Sequence, residues 1–242
     1  MRIPRIFCKQ SLASGTDIEL DENGARHVGK VLRMQAGRPL LLFNGEGGEY
    51  DATILEAGKK NVRVTIGDFH PDNRQSPLSI HLGIGISRGE RFEHVLQKAT
   101  ELGVAQITPL FTERTEVKLT GPRLEKKHLQ WQQIIVSSCE QCQRNRLPQL
   151  SEPQRYDAWI SEVEAEQRFV LHHRSPKALA DTQKPASVAL VIGPEGGLSQ
   201  TEIDSALQQQ FQPLTLGPRV FRTETAPLAA ISIMQYLWGD LG

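Results

Sequence analysis

The chain has 242 residues, with 28 lysines and arginines balanced by 28 aspartates and glutamates, and three cysteines; it can bury a real core as one large or two small domains. A formal net charge of zero excludes a general polyanion binder held by bulk positive charge, so a nucleic-acid partner requires basic residues gathered locally. No apolar run approaches a membrane span, the N-terminus lacks a signal-peptide pattern, and the odd cysteine count argues against a disulfide framework, so a soluble cytoplasmic protein is expected.

Residues 1–70 read as a small β-rich domain. Segments 39–44, 49–56 and 61–67 are strand-like, with turns at 44–48 and 57–60. Val62, Val64 and Ile66 alternate with Arg63 and Thr65, as in a half-buried antiparallel strand. A helical segment between residues 21 and 34 carries Arg26, Lys30 and Arg33 on one side, a face suited to phosphate contacts that position an RNA without reading its sequence. Arg2, Arg5 and Lys9, then Arg123, Lys126 and Lys127, then Arg144 and Arg146 form further basic clusters. For any one cluster alone, a solvated surface is as good a reading.

Over 71–77 the composition shifts to Pro, Asp, Asn, Arg, Gln and Ser, which marks a linker. Beyond it, 78–242 alternates strand and helix patterns, which implies a mainly parallel sheet. Segments 78–86, 106–111 and 167–171 are strand-like. Ser87 with Glu90 reads as a capping box, and Phe92, Val95, Leu96, Ala99 and Leu102 share the face of a helix that Gly103 ends. A long helix over 123–143 buries Leu124, Trp131, Ile134, Ile135 and Ser138. Cys139 and Cys142 form a CxxC at its end. No second Cys/His pair stands at finger-like spacing and the helix C-terminus raises a thiol pKa, so no metal site is expected. The strand at 167–171 ends in His172, His173 and Arg174; adjacent residues on an extended chain face opposite ways, which disfavours a shared metal.

Two glycine-bearing loops organise residues 188–238. Leu190-Val191-Ile192 leads into Gly193-Pro194-Glu195-Gly196-Gly197-Leu198, and Leu216-Gly217-Pro218-Arg219-Val220-Phe221-Arg222-Thr223-Glu224 follows a second apolar run. Each is a strand-to-helix loop whose glycines let main-chain groups approach a ligand closely. On neighbouring parallel strands, two such loops would open on the same sheet edge, where open α/β folds bind ligands. Ser199 and Glu202 form a capping box for a helix from about residue 200 that ends before Pro213. Pro227 fits only in the first turn of the last helix, which places that helix's start near Glu224 or Thr225. The last helix is apolar nearly all round and needs cover on more than one side, most simply from a second copy of the chain.

The pair IGPEGGLS and LGPRVFRTETA, in that order near the C-terminus, resembles the SPOUT class of S-adenosylmethionine-dependent RNA methyltransferases. Together with the MRIPRIF start and Glu140-Gln141-Cys142-Gln143-Arg144, similar to a Glu-Gln-x-x-Arg signature at the active-site edge, the resemblance covers essentially the whole chain. Its closest form is the bacterial 16S rRNA uridine-N3 methyltransferase family. The resemblance implies a PUA-like β-barrel over 1–70 that helps hold RNA, and over 78–242 an α/β domain knotted as a trefoil at the cofactor loops. It implies S-adenosylmethionine held by Leu171, His172, Ile192, Gly193, Glu195, Gly196, Gly197, Leu216, Gly217, Val220, Phe221 and Thr223. Arg2, Arg5, Arg26, Lys30, Arg33, Arg88 and Arg144 are the expected RNA contacts. The expected partners are 16S rRNA in the small ribosomal subunit and a second copy of the chain, with the C-terminal helix at the interface; either subunit of that dimer could supply Arg144.

N3 of neutral uridine carries a proton and is a poor nucleophile, so the reaction requires an imide anion whose charge spreads onto O2 and O4. Arg222 is the expected stabiliser and Glu224 the proton acceptor. Other roles stay open: Glu224 as a favourable charge at a helix start, Arg222 on a phosphate or paired with Glu195, Thr223 and Thr225 as caps, Arg144 as a helix-end cation. Pro227 departs from the family's pattern in the turn that touches the site. A 2′-O-methyltransferase of the same fold, and an RNA-binding assembly factor with the pocket but no chemistry, are the competing readings.

Overall fold

The computed structural model describes residues 3–58, 61–72, 74–172, 179 and 183–242. Arg2, His173, Arg174 and the second half of the 57–60 turn lie outside the described residues. The chain divides into two compact units: Met1–Gln75 with Val136–Leu147, and Ser76–Ile135 with Pro148–Gly242.

The first unit runs β1 (Arg5–Phe7), β2 (Asp17–Glu19), α1 (Glu22–Arg26), a π-helical turn (His27–Val31), β3 (Pro39–Phe43), β4 (Glu49–Ala57) and β5 (Val62–His70). Asp21 starts α1 by accepting the Gly24 N–H at 2.8 Å, which satisfies one of the helix's orphan donors. Among the described residues the sheet order is β1-β3-β4-β5-β2, with β1 parallel to β3 and the other neighbours antiparallel. Val62, Val64 and Ile66 point inward from β5 and join Ile6, Leu40, Leu42 and Ile54 in the core. Each such side chain, fully buried, contributes roughly 1.5–3 kcal/mol.

Val136–Leu147 belongs to this unit, whereas the expected division counted it with 78–242. The polar bonding supplies a physical reason. Arg5 is buried; it pairs with Glu49 and donates to the Arg144 carbonyl at 3.3 Å and to Asn145 Oδ1 at 2.5 Å. A buried guanidinium needs such partners, and two of them come from this segment. The Phe7 N–H adds a bond to Glu140 Oε1 at 3.0 Å.

The second unit contains β6 (Ser79–Gly85), α2 (Glu90–Glu101), β7 (Gln106–Phe111), the N-terminal part of α3 (Gly121–Cys142), β8 (Gln149–Leu150), β9 (Gln154–Arg155), α4 (Tyr156–Glu162), β10 (Gln167–Leu171), β11 (Ser187–Ile192), α5 (Gln200–Gln208), β12 (Gln212–Leu214) and α6 (Thr225–Trp238). Among the described residues the sheet order is β12-β10-β11-β6-β7-β8, with β9 also on β7, and every pairing is parallel. Pro213, which has no N–H to donate, sits in the edge strand β12. Because all strands run the same way, the loops after β6, β7, β10, β11 and β12 open on one edge.

Local signals hold at most helix starts. Ser199 and Glu202 form the expected reciprocal capping box of α5. The expected box of Ser87 and Glu90 does not form. Gly89, at φ 52°, is the N-cap of α2 and makes no side-chain cap, while Ser87 Oγ lies 3.4 Å from the Gly85 carbonyl. Ser87 stands two residues too early to reach the first helical N–H groups. Helix α4, whose Tyr156, Trp159 and Ile160 are buried against Val170, Ala189 and Val191, carried no separate sequence expectation.

Candidate active site

The loop after β11 is held at several points. The Gly197 N–H bonds the Pro194 carbonyl at 2.8 Å with Gly197 at φ 69°, a left-handed turn that favours glycine. Glu195 Oε1 accepts the Arg88 main-chain N–H at 2.9 Å and lies 3.5 Å from Arg91 Nη1. Burial works to raise the Glu195 carboxyl; the Arg88 N–H, its own N–H and Arg91 outweigh it and hold the carboxyl below its ordinary value. The loop then enters α5 through Ser199 Oγ, which accepts the Glu202 N–H at 3.2 Å, and Glu202 Oε2, which accepts the Ser199 N–H at 2.8 Å.

The loop after β12 is differently built. Gly217 takes φ 89°, Val220 is 82% exposed, and the chain turns into α6 by giving the Thr225 and Ala226 N–H groups to the Arg222 carbonyl at 2.9 Å each. The N-cap of α6 is Glu224, which makes no side-chain cap bond. Thr223 precedes that position and Thr225 follows it, so neither threonine is the cap. Pro227 is the third residue of α6, where its missing N–H would have had no intrahelical acceptor. At the end of β10, the His172 N–H bonds the Leu214 carbonyl at 2.9 Å and Thr215 Oγ1 donates to the His172 carbonyl at 2.8 Å, tying two strand ends together.

These loops enclose a cavity of about 320 Å³, at the lower end of the size range of small-molecule sites. Its wall includes Leu171, His172, Ile192, Gly193, Glu195, Gly196, Gly197, Leu216, Gly217, Val220, Phe221 and Thr223, together with Pro194, Leu198, Ile203, Leu214, Thr215 and Ala226. A Cβ added at Gly197 or Gly217 would meet nothing within 4 Å, so the space before both loops is open. Arg114 and Arg219 also line the cavity, and neither was singled out from the sequence. Arg219 lay inside the quoted motif. Arg114 follows β7, and the rule that ligands bind at strand carboxyl ends was the signal for it.

Arg222 and Glu224 bracket Thr223 without lining the cavity themselves, and the Arg222 side chain is exposed. Glu195 is held by Arg88 and Arg91. Of the expected RNA contacts, Arg26, Lys30 and Arg33 are exposed; Arg33 lies beyond the helical turn at φ 51°. Arg88 is exposed with Nη2 2.6 Å from Glu116. Arg5 and Arg144 are each only 5% exposed. Burial removes both from an exposed RNA face, because Arg5 already spends its charge on Glu49 and Arg144 is packed within the same unit, donating to Gln75 at 3.3 Å. Cys139 is buried, and the Cys142 side chain together with burial pushes its thiol up. Among the described residues no group of three His, Cys, Asp or Glu could hold a metal ion, and no helix is long and apolar enough to cross a membrane.

The RNA methyltransferase domain family matches residues 74–235, and the RNA methyltransferase PUA domain family matches residues 20–67. Ribosomal RNA small subunit methyltransferase E of Buchnera aphidicola (subsp. Schizaphis graminum) is 38% identical to this chain, over 99% of it and 98% of its own length. The protein of that name from Bacillus subtilis is 27% identical, over 94% and 93%. A methyltransferase from Legionella pneumophila, solved in complex with the bound cofactor S-adenosylmethionine, superposes with a TM-score of 0.97 at 46% identity, over 100% of both chains. The ribosomal RNA small subunit methyltransferase E of Neisseria gonorrhoeae, bound to S-adenosylmethionine, gives 0.93 at 35%, again over 100% of both. With two glycine loops facing one cavity at the carboxyl edge of a parallel sheet, and with both family matches in chain order, the chain belongs to the ribosomal RNA small subunit methyltransferase E family of SPOUT RNA methyltransferases, with an N-terminal PUA domain.

Proposed function

We propose that this protein methylates N3 of a specific uridine in 16S rRNA, using S-adenosylmethionine and acting on the small ribosomal subunit in the cytoplasm. One observation carries the reading: the residues that the family resemblance marks for the cofactor line a common cavity. The fit is chemical as well as spatial. Ile192, Leu216, Val220 and Phe221 offer apolar walls to a flat base, and the open space before Gly197 and Gly217 leaves room for main-chain approach.

S-adenosylmethionine supplies an electrophilic methyl group; its transfer forms the N3–carbon bond, breaks the sulfur–carbon bond and releases the N3 proton. The protein's part is alignment and charge stabilisation. In this reading Arg222, exposed beside the wall residue Thr223, stabilises the charge that develops on O2 and O4, and Glu224 accepts the proton. Arg26, Lys30 and Arg33 offer exposed positive charge to phosphates. The reading includes the trefoil knot at the cofactor loops. It also includes a homodimer joined through α6, on which Ile233, Tyr236 and Leu237 are exposed apolar side chains.

The test incubates the protein and methyl-labelled S-adenosylmethionine with small ribosomal subunits from cells lacking this gene, and in parallel with naked rRNA, before nucleoside analysis. Label in 3-methyluridine is expected, with the subunit preferred. Label on a ribose oxygen would replace the N3 assignment, and absence of label despite cofactor binding would favour an assembly factor.

A further inference from the structure

We infer that Arg114, held in position by the buried carboxylate of Glu202, binds the carboxylate at the amino-acid end of the cofactor. The inference rests on the reading that this cavity holds S-adenosylmethionine, and it concerns Arg114, which no sequence motif marked, and Glu202, which the sequence marked only as a helix-capping residue. Arg114 lines the cavity and donates from Nη1 to the Gly196 carbonyl at 2.8 Å. That bond uses one of the five N–H donors of a guanidinium, whose flat fork matches a carboxylate in two-point contact. A Cβ at Gly196 would stand 3.1 Å from Arg114 Cβ, tighter than ordinary contact, so glycine at 196 is what admits the arginine at this distance.

Glu202 fixes the other side of the same link. It is only 7% exposed, and its two oxygens are divided between two loops. Oε2 accepts the Ser199 N–H within the capping box, and Oε1 accepts the Glu113 N–H at 2.8 Å. The chain segment carrying Arg114 is thereby bonded to α5, while the Arg114 side chain is bonded to the loop that leads into α5. The result is a closed ring of contacts around one wall of the cavity. A group so pre-positioned loses little freedom when a ligand arrives.

The charge pattern selects the ligand's end. Glu195 and Arg114 both line the cavity, Glu195 preceding Gly196 in the chain and Arg114 bonded to the Gly196 carbonyl. A zwitterionic amino-acid end carries an ammonium and a carboxylate side by side, and the wall presents the complementary pair. Arg219 is the other arginine in the wall, but Arg114 is the one tethered from two sides.

The experiment is calorimetric titration of the full chain with two probes. S-adenosylmethionine has the amino-acid end; 5′-methylthioadenosine lacks it. Arg114→Ala is expected to weaken S-adenosylmethionine by at least about tenfold, the scale of a lost charge-assisted hydrogen bond, and to leave methylthioadenosine binding unchanged. Glu202→Gln keeps one acceptor oxygen of two, so it should weaken S-adenosylmethionine selectively as well; the double variant should be no worse than Arg114→Ala alone. Thermal unfolding without ligand, run on each variant, shows that the variants are folded, and Arg114→Ala stands alone if Glu202→Gln does not fold. Unchanged S-adenosylmethionine affinity in Arg114→Ala overturns the inference, as does equal loss of both probes, which would make Arg114 part of the cavity's framework only. A selective loss in Arg219→Ala, with none in Arg114→Ala, moves the contact to Arg219. A wild-type chain that binds neither probe removes the cofactor reading itself, before any substitution is compared.

Discussion

The two loops that face the cavity solve the same problem by opposite means. The loop after β11 is braced by Arg88, Arg91, Arg114 and a reciprocal capping box. The loop after β12 runs from the strand to α6 with Val220 almost fully exposed and no side-chain cap at Glu224. A braced wall is pre-organised, so ligand binding there costs little ordering. An exposed loop gains its order from what it meets. In the proposed reaction the first loop suits a cofactor that must sit in one pose, while the second, which also lends Leu216, Val220 and Phe221 to the cofactor cavity, carries the exposed Arg222 assigned to a large substrate that arrives and leaves.

The largest effect should come from the second loop. Arg222→Ala is expected to cut turnover by roughly 10²–10³, the range for loss of a donor to developing charge, with cofactor affinity nearly unchanged. Steady-state kinetics with calorimetry reads both quantities; equal loss in each would erase the division between the loops.

A second effect lies beneath the first loop. His81 on β6 pairs in register with Ala189 on β11, the strand that launches the loop. Its Nε2 lies 3.2 Å from Trp159 Nε1, which donates to it, and 2.8 Å from Thr108 Oγ1. Trp159 can only donate, so Nε2 carries no proton in the fold and the ring is neutral. Burial accordingly lowers the His81 pKa from 6.5 to about 4. The unfolded chain takes up the proton near pH 6.5 and the folded chain only near pH 4, so stability present above 6.5 is lost as pH falls through that window. The expected slope is about 1.4 kcal/mol per pH unit. Denaturant titrations from pH 7 to 4 should show the slope, and His81→Gln should flatten it; an equal slope in the variant would place the acid sensitivity elsewhere.

A smaller contrast concerns the glycines. An alanine at Gly197 or Gly217 must hold a left-handed φ, of 69° or 89° respectively. The braced loop cannot relax around the strain and the exposed one can, so Gly197→Ala should cost about 1 kcal/mol or more and Gly217→Ala less. Melting temperatures of the pair rank them; the reverse order would mean that the second loop is the stiffer. The least costly test compares the helix starts. Ser199→Ala removes a cap worth about 1 kcal/mol, whereas Thr225→Ala, at a helix start without a side-chain cap, should stay within about 0.5 kcal/mol. Equal losses by denaturant unfolding would show a hidden brace at α6.

Much of the molecule was legible because its signals are local. Alternation of Val62, Val64 and Ile66 marks a half-buried strand, and the strands at Gln106–Phe111 and Gln167–Leu171 stand where their apolar runs stand. Ser199 and Glu202, one helical turn apart, announce the start of α5. Strand, glycine loop and helix follow one another along the chain, so spacing places the two loops, and the family resemblance names the residues in them that meet the cofactor. The Ser87–Glu90 pattern shows the limit of this kind of reading: its spacing is right, but the left-handed Gly89 starts the helix in its place.

What only the tertiary structure decided are the pairings of buried and half-buried polar groups across long stretches of chain. Arg5 could be read as a free cation until Glu49 and Asn145 closed around it. Glu202 was a capping residue by sequence, and became a brace for Glu113 and Arg114 only when β7 was laid two strands from β11. The physical reason is common to both cases. Periodicity and capping are set within a turn or two of backbone, and the sequence displays them. A buried charge must find a partner wherever the fold brings one, and no spacing along the chain records where that will be.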